Sequence, residues 1–360
     1  MILANKPIVH FHTSTESSWK AMLDACRGAT KSICLEQYIF SQDHIGTQFI
    51  EVLVEKARSG VKVRVLLDMV GSLAFYLSGL DHHLRAKGVE VVFFNPISLW
   101  RVGNITSHFF RDHRKVLVVD DSIGFIGGVG IEDGMRSWRD TMVEVRGDLC
   151  RNMTHIFDLM WKRVVRGRYR RFTKPPVYHK HHEISINSPH FGQRFVYYDH
   201  IAHVRNAQQR IYMATPYFAP DGRFFRVLRM AAHRGVDVRL LVPEVSDIYM
   251  INYIQGWYIT HALQAGIRVF MYKGSFYHTK MAMVDESWAT VGSFNLDNLS
   301  FIFNHEANIS STDDAFVSHI EEHFKKDFSL SREIRWKEWS KRSTFQKVME
   351  YISRPFHKLF

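Results

Sequence analysis

Cysteine is scarce in this chain: Cys26, Cys34 and Cys150 are the only three in 360 residues. An odd, widely spaced set in apolar surroundings does not make a disulfide framework, so reduced core residues in a cytoplasmic protein are expected. No run approaches the roughly eighteen uncharged apolar residues that a spanning helix needs. Met1 to Ser14 has neither a basic n-region nor a long apolar h-region. No signal peptide or transmembrane segment is expected, and any membrane contact should be peripheral. Acid is also in deficit, with 36 Asp and Glu against 47 Lys and Arg and a formal net charge of +11. That balance favours an anionic partner without separating nucleic acid from an anionic lipid surface. Hydrophobic residues are not lacking: 46% of the chain against 23% charged excludes general disorder. The length is comfortable for two domains, each with its own core.

The order of patterns repeats. Ile33 to Phe40 reads as a buried strand, Thr47 to Ser59 as a helix capped by Gly60, and Val61 to Asp68 as a strand. Leu80 to Lys87 then reads as a helix capped by Gly88, and Val89 to Phe94 as a third strand. In the second half Gln209 to Phe218 matches Lys31 to Phe40, Asp221 falls where Asp43 does, and Ala231 to Leu241 echoes Lys56 to Leu66. Leu263 to Tyr272 likewise echoes Arg85 to Phe94. Alternating strands and helices predict right-handed crossovers and largely parallel sheets. The expected fold class is therefore α/β, with two similar domains facing each other. Expected boundaries are residues 1–165, a basic linker at 166–192, a second domain at 193–330 and a basic amphipathic segment at 331–360. The linker holds His179, His181 and His182, but no further ligands stand at a recognised metal-site spacing. In the last segment, Arg332, Arg335, Lys337, Lys341 and Lys347 alternate with Trp336, Trp339, Phe345 and Ile352. Such a mixture suits a helix on an anionic bilayer, or one packed back on the domain with its cations in water.

Two stretches carry the chemistry. His278, Lys280 and Asp285 fit H-x-K-x4-D and are followed by Gly292-Ser293-Phe294-Asn295; His113, Lys115 and Asp120 fit it again, followed by Gly127-Gly128. One such match arises by chance in roughly one chain in ten to twenty, whereas two with matching glycines do not suggest coincidence. Read as a strand, each stretch puts its histidine and lysine on one face. Asp120 and Asp285 lie an odd number of residues beyond, which turns them to the opposite face and toward local structure.

These residues resemble the HKD motif of the phospholipase D superfamily. The resemblance implies two phospholipase D-like domains packed with pseudo-two-fold symmetry around one active site. It implies a catalytic set of His113, Lys115, Asp120, His278, Lys280 and Asp285, with Asp140 and Glu306 orienting the imidazoles. Ser293, Asn295, Gly127 and Gly128 would bind substrate. Phosphodiester cleavage needs a nucleophile, cations on the non-bridging oxygens and an acid for the leaving alkoxide. Two histidines can divide that work through a phosphohistidine, with His113 as nucleophile and His278 as acid, and neither metal nor other cofactor is required. Gly130 stands where the second copy has Asn295, so the first half lacks one amide donor.

The likeness narrows further. Leu35 to Phe40, Gly60 to Arg64, Phe125 to Gly128, Trp138 to Thr141, Thr215 to Pro220 and Gly292 to Asp297 are similar to segments of bacterial cardiolipin synthases. That family implies transfer of a phosphatidyl group from phosphatidylglycerol to a second phospholipid, with loss of glycerol, at the cytoplasmic face of the membrane. The implied partners are anionic phospholipid and the membrane surface, with nucleic acid set aside and the oligomeric state open. Met69 to Leu80 and Ser246 to Tyr258 are apolar segments that could wall an acyl-chain groove or form inter-domain core. A phospholipase D or nuclease of the same fold, and an inactive lipid-binding scaffold, are the competing functions.

Overall fold

The protein is described from a computed structural model covering residues 8–96, 109–167, 177–179, 181–189 and 193–359. The first half runs β1 (Ile8–His12), α1 (Thr15–Arg27), β2 (Ser32–Gln37), α2 (His44–Arg58), β3 (Lys62–Asp68), α3 (Leu73–Leu77), α4 (Leu80–Ala86) and β4 (Glu90–Phe94). It continues through β5 (Arg111–Asp112), β6 (Val116–Val119), β7 (Ile123–Gly127), β8 (Met142–Arg146) and α5 (Leu149–Val165). The second half follows with β9 (Val177–His179), β10 (His182–Asn187), α6 (Phe195–Asn206), β11 (Arg210–Ala214), β12 (Phe218–Ala219), α7 (Gly222–His233) and β13 (Asp237–Pro243). Then come α8 (Tyr249–Gln264), β14 (Arg268–Tyr272), β15 (Met281–Val284), β16 (Trp288–Gly292), β17 (Leu296–Asp297), β18 (Asn304–Ser311) and α9 (Asp314–Ser329). The chain closes with β19 (Ser331–Ile334), α10 (Trp336–Trp339) and α11 (Thr344–Ser353).

The duplication is physical as well as sequential. Asp43 and Asp221 cap α2 and α7 in the same way, each carboxylate accepting a backbone N–H from the first turn. Strand order is β1-β8-β7-β6-β2-β3-β4 in one sheet and β14-β13-β11-β15-β16-β18-β10 through the matching part of the other. The sheets are mixed, which differs from the expected largely parallel arrangement. Parallel pairing joins β2, β3 and β4 in one sheet and β11, β13 and β14 in the other, where helical crossovers connect the strands. The motif strands instead form hairpins, β6 with β7 and β15 with β16, and pair antiparallel with β2 and β11.

One further expectation needs correction. The segment read as a linker contains β9 and β10, and β10 pairs with β18 from His182 to Asn187. Buried Ile184 and Ile186 supply the apolar alternation of that strand. The densest basic part, 168–176, lies outside the described residues. The C-terminal segment forms helices that lie on α8.

Three apolar cores result. One lies outside each sheet, between α1, α2 and β2–β3 in the first half and between α6, α7, α8 and β11–β13 in the second. The third is shared: Val116, Ile126 and Val143 meet Met281, Val291 and Ile309 there, with α5 and α9 packed against it. The two motifs therefore approach each other at the middle of the molecule. Cys26, Cys34 and Cys150 are buried and unpaired.

Candidate active site

Each motif enters as a short segment ahead of its strand. His113 and Lys115 precede β6, and His278 and Lys280 precede β15, so the regular strands are shorter than the alternation predicts. The reason is where their backbones bond. The His113 N–H donates to the His305 carbonyl at 3.0 Å and the His278 N–H donates to the Arg139 carbonyl at 2.9 Å. Each motif is thereby stitched to the opposite half, one residue ahead of that half's acid.

The side chains repeat the crossing. His113 Nδ1 lies 3.0 Å from both Glu306 oxygens. His278 Nδ1 lies 2.6 Å from Asp140 Oδ2. A neutral imidazole that donates Nδ1–H to a carboxylate presents a lone pair at Nε2, the nitrogen then available for attack or proton transfer. Lys280 Nζ also lies 2.8 Å from His278 Nδ1, but the single hydrogen there belongs to Asp140. The ammonium bond is the one to the His278 carbonyl. Lys115 Nζ likewise donates to the His113 carbonyl at 2.8 Å and sits 5.2 Å from the centre of the Tyr38 ring. Tyr38 also meets His113 edge-on, while Trp138 packs against His278.

Electrostatics follow from burial. Burial lowers His113, with Glu306 working against it and Lys115 adding to it; burial and the Lys280 charge lower His278, with Asp140 opposing. Both imidazoles are neutral at neutral pH in the free protein. Burial works to raise Glu306, but His113 and Lys115 hold it below its ordinary value; for Asp140 the same burial is overcome by Lys280 and His278. Burial with the Lys280 charge brings Lys115 down to about 7, and burial brings Lys280 down to about 8 although Asp140 and Glu306 pull upward. Asp140 and Glu306 only partly offset the burial of the two lysines, and an anion bound beside them would stabilise their charged forms further.

Around the two histidines lies a cleft of about 180 Å³ lined by His113, Lys115, His278, Tyr38, Tyr217 and Trp138 among others. It is smaller than pockets that enclose drug-sized ligands. The two walls differ. Ile39, Gly130 and Met135 contribute the first half, and Asn295, Asp297 and Asn304 the second. The Asn295 and Asn304 side-chain oxygens are buried without a hydrogen-bond partner. Burial raises Asp297 to about 7 against the pull of the Ser300 N–H.

Several predicted site residues fall elsewhere. Asp120 and Asp285 are outside the cleft, at positive φ in the turns after β6 and β15. Asp120 accepts the N–H groups of Thr30, Lys31 and Ser32, and Asp285 those of Gln208, Gln209 and Arg210, so each fixes the start of a central strand. Ser293 is fully buried and its hydroxyl donates to Glu306, with the Ala307 N–H donating to it at 3.1 Å; it orients the acid. Gly127 packs on the backbone of Thr141 and Met142, whereas Gly128 does line the cleft, and a Cβ there would fall 2.2 Å from Asp140 Oδ1. Gly128 thus makes room for one acid where Ser293 bonds the other. Of the two apolar segments, Ser246 to Tyr258 sends Asp247, Ile248 and Ile251 into the lining, while Met69 to Leu80 stays behind Tyr38.

Arg139 was not singled out, yet it braces the crossing. Its guanidinium binds both oxygens of buried Asp327 at 3.1 and 2.8 Å, and the Tyr277 hydroxyl donates to the same carboxylate at 3.0 Å. A Trp-Arg-Asp-Thr run gives no sign of a partner 188 residues away. Among the described residues no group of three or more His, Cys, Asp or Glu is placed to hold a metal ion, and no helix is long and apolar enough to cross a membrane.

The chain superimposes on a phosphatidylserine synthase from Haemophilus influenzae with a TM-score of 0.77, at 13% identity and 98% and 93% coverage of the two chains. A polyphosphate kinase from Porphyromonas gingivalis shares the fold at a TM-score of 0.62 and 15% identity, covering 99% of this chain and 54% of that one. In sequence, the chain is 32% identical over 355 residues to a cardiolipin synthase from Geobacillus kaustophilus, spanning 95% of this chain and 70% of the relative. It is 30% identical to cardiolipin synthase 1 of Bacillus cereus, spanning 98% and 72%. The profile of the family described as "Cardiolipin synthase, PLD-like domain" matches residues 22–161 and 200–328, the regions that carry the two motifs, and the chain belongs to that family within the phospholipase D superfamily.

Proposed function

We propose that this chain is a phosphatidyltransferase of the cardiolipin synthase type. It joins two molecules of phosphatidylglycerol and releases glycerol. The observation that carries the reading is the crossed pair, two histidines each held by an acid of the opposite half, with Lys115 lining the same cleft and Lys280 bonded to the His278 carbonyl beside it. Lys115 and Lys280 receive the phosphodiester oxygens. Burial and the lysine charges hold both imidazoles down, and the bound anion counters the lysine charges, so His278 can carry a proton. His113 Nε2 attacks phosphorus, the P–O bond to the glycerol headgroup breaks, and His278 protonates that oxygen. A hydroxyl of the second phosphatidylglycerol then gives its proton to His278 and attacks phosphorus, and the P–N bond breaks to restore His113. One diester is exchanged for another, so no outside energy source is required.

The donor and acceptor are bilayer lipids and the cleft holds only a headgroup, so the protein works as a peripheral enzyme at the cytoplasmic face of the membrane. The test is incubation of purified protein with phosphatidylglycerol vesicles and resolution of the products by mass, with EDTA in a parallel reaction. Cardiolipin and glycerol are expected, undiminished by the chelator. Phosphatidic acid alone would mean hydrolysis, cleavage of single-stranded DNA without lipid turnover would mean a nuclease, and loss of activity to EDTA with rescue by one metal would overturn the metal-free scheme.

A further inference from the structure

Helix α11 is turned inside out. Against α8 it buries Glu350 and Ser353, with Gln346 and Met349 beside them. To the outside it shows Phe345 (68% exposed), Val348, Tyr351 (69%) and Ile352, with Phe356 just beyond. These stand at i, i+3, i+6, i+7 and i+11, one continuous stripe at helical spacing. An ordinary surface helix does the reverse and packs its apolar stripe inward.

The inward orientation is specified by polar contacts rather than by chance packing. Arg342 binds both Glu350 oxygens at 2.8 and 2.6 Å and donates to Thr260 on α8 at 2.6 Å. Trp339 Nε1 donates to the same Thr260 at 2.9 Å, and the Arg354 guanidinium lies 4.9 Å from the Trp257 ring centre. Gly256 leaves the space that Glu350 fills, since a Cβ there would lie 2.7 Å from its carboxylate. The apolar stripe therefore cannot be exchanged for the buried face without unpairing a buried acid.

At its other end α8 reaches the cleft. Val245, Ile248, Tyr249 and Met250 are exposed around its first turn, and Ile248 and Ile251 line the cleft itself. Cations flank the α11 stripe, where Lys337, Lys341, Lys347 and Arg354 are exposed against Glu338 and Glu350 is buried; beside the first turn of α8 the exposed acids are Glu244, paired with Arg332, and Asp247, which accepts the Tyr217 hydroxyl. We infer that α11 and the first turn of α8 together form the surface that docks on an anionic bilayer, with the stripe in the headgroup–acyl boundary and the cations on lipid phosphates. The charge argues for this occupant over a second copy of the chain, which would bring the same cations face to face. The cleft also takes a headgroup whose acyl chains must remain in lipid, a point that rests on the function proposed above.

The experiment uses the full chain and cosedimentation with vesicles of phosphatidylglycerol and phosphatidylcholine in equal parts. Phe345→Ser with Tyr351→Ser should weaken partition at least about tenfold, Tyr249→Ser should weaken it in the same direction, and Met230→Ser, on exposed α7, should stay within about twofold of wild type. Circular dichroism and thermal midpoint confirm folding. Turnover of dihexanoyl phosphatidylglycerol below its micellar concentration should be unchanged by the double substitution while turnover on vesicles falls. Wild-type partition by the double variant would overturn the inference. So would light scattering that shows a lipid-free dimer dissociated by these substitutions. If no lipid is turned over at all, the proposed function fails, and partition still decides the surface.

Discussion

Glu306 and Asp140 hold negative charge deep in the protein only because a histidine and a lysine face each of them. Replacing either by its amide keeps the shape and removes the charge. Glu306→Gln and Asp140→Asn should each lower kcat about 10²–10⁴-fold with KM little changed, whereas His113→Ala and His278→Ala should each abolish nearly all turnover with the fold intact. Substantial activity in either alanine variant would contradict a nucleophile and an acid that divide the work. The lysines predict a pH limb. Lys115 near 7 and Lys280 near 8 lose their protons as pH rises, so the charge that receives phosphate is present below that range and lost above it. Steady-state rates should therefore show kcat/KM falling on the alkaline side, and a profile flat to about pH 9.5 would speak against the role of these cations. Gly130 offers a sharper contrast. A Cβ there would stand 3.0 Å from Met135 Sδ, and the Gly130 carbonyl takes the Trp19 indole N–H at 2.7 Å. Gly130→Asn should cost about 1–3 kcal/mol in denaturant unfolding and add no activity, because the methionine already occupies the place of the missing amide. Motif spacing made the histidines and lysines legible. It could not show that Ser293 serves Glu306, since a serine after a glycine looks the same whether it meets substrate or a buried acid.

Among the elements, the hairpins departed most from expectation. Alternating apolar residues marked β6 and β15 as strands but carried no sign of direction, and the antiparallel return depends on turns with Asp120 and Asp285 at positive φ. β10 was hidden by its neighbours: the basic run and paired prolines before it dominate the composition, although Ile184 and Ile186 already alternate in period two. In α11 the amphipathic pattern was plain and its orientation was not, because a sequence gives the two faces and the partner decides which one is covered. Gly256→Val tests that decision. The added side chain would meet Glu350, so α11 should loosen from α8, with protease cleavage near residues 340–350 appearing at lower protease concentration and a loss of about 1–3 kcal/mol. Unchanged cleavage would show that the Arg342 and Glu350 contacts do not hold the helix.

At the scale of the whole molecule the two halves share a core and a set of hydrogen bonds that neither can complete alone. Calorimetric unfolding should accordingly give a single transition, and two resolved peaks would contradict the shared core built by residues such as Val116, Ile126, Met281 and Ile309. The repeat of strand and helix patterns announced the duplication, and the resemblance that the motifs carry implied one site from two halves. The crossing of acids was not legible, because nothing in a linear pattern says which carboxylate reaches which imidazole across the middle of the fold. That crossing has a consequence for descent. A duplicated segment ordinarily leaves one copy free to drift while the other keeps the original task. Here a change at Asp140 is felt by the histidine of the second copy, and a change at Glu306 by the histidine of the first. Neither copy can decay in private, so selection reads the pair as one gene's worth of chemistry, and divergence is admitted where a neighbour such as Met135 has already filled the space.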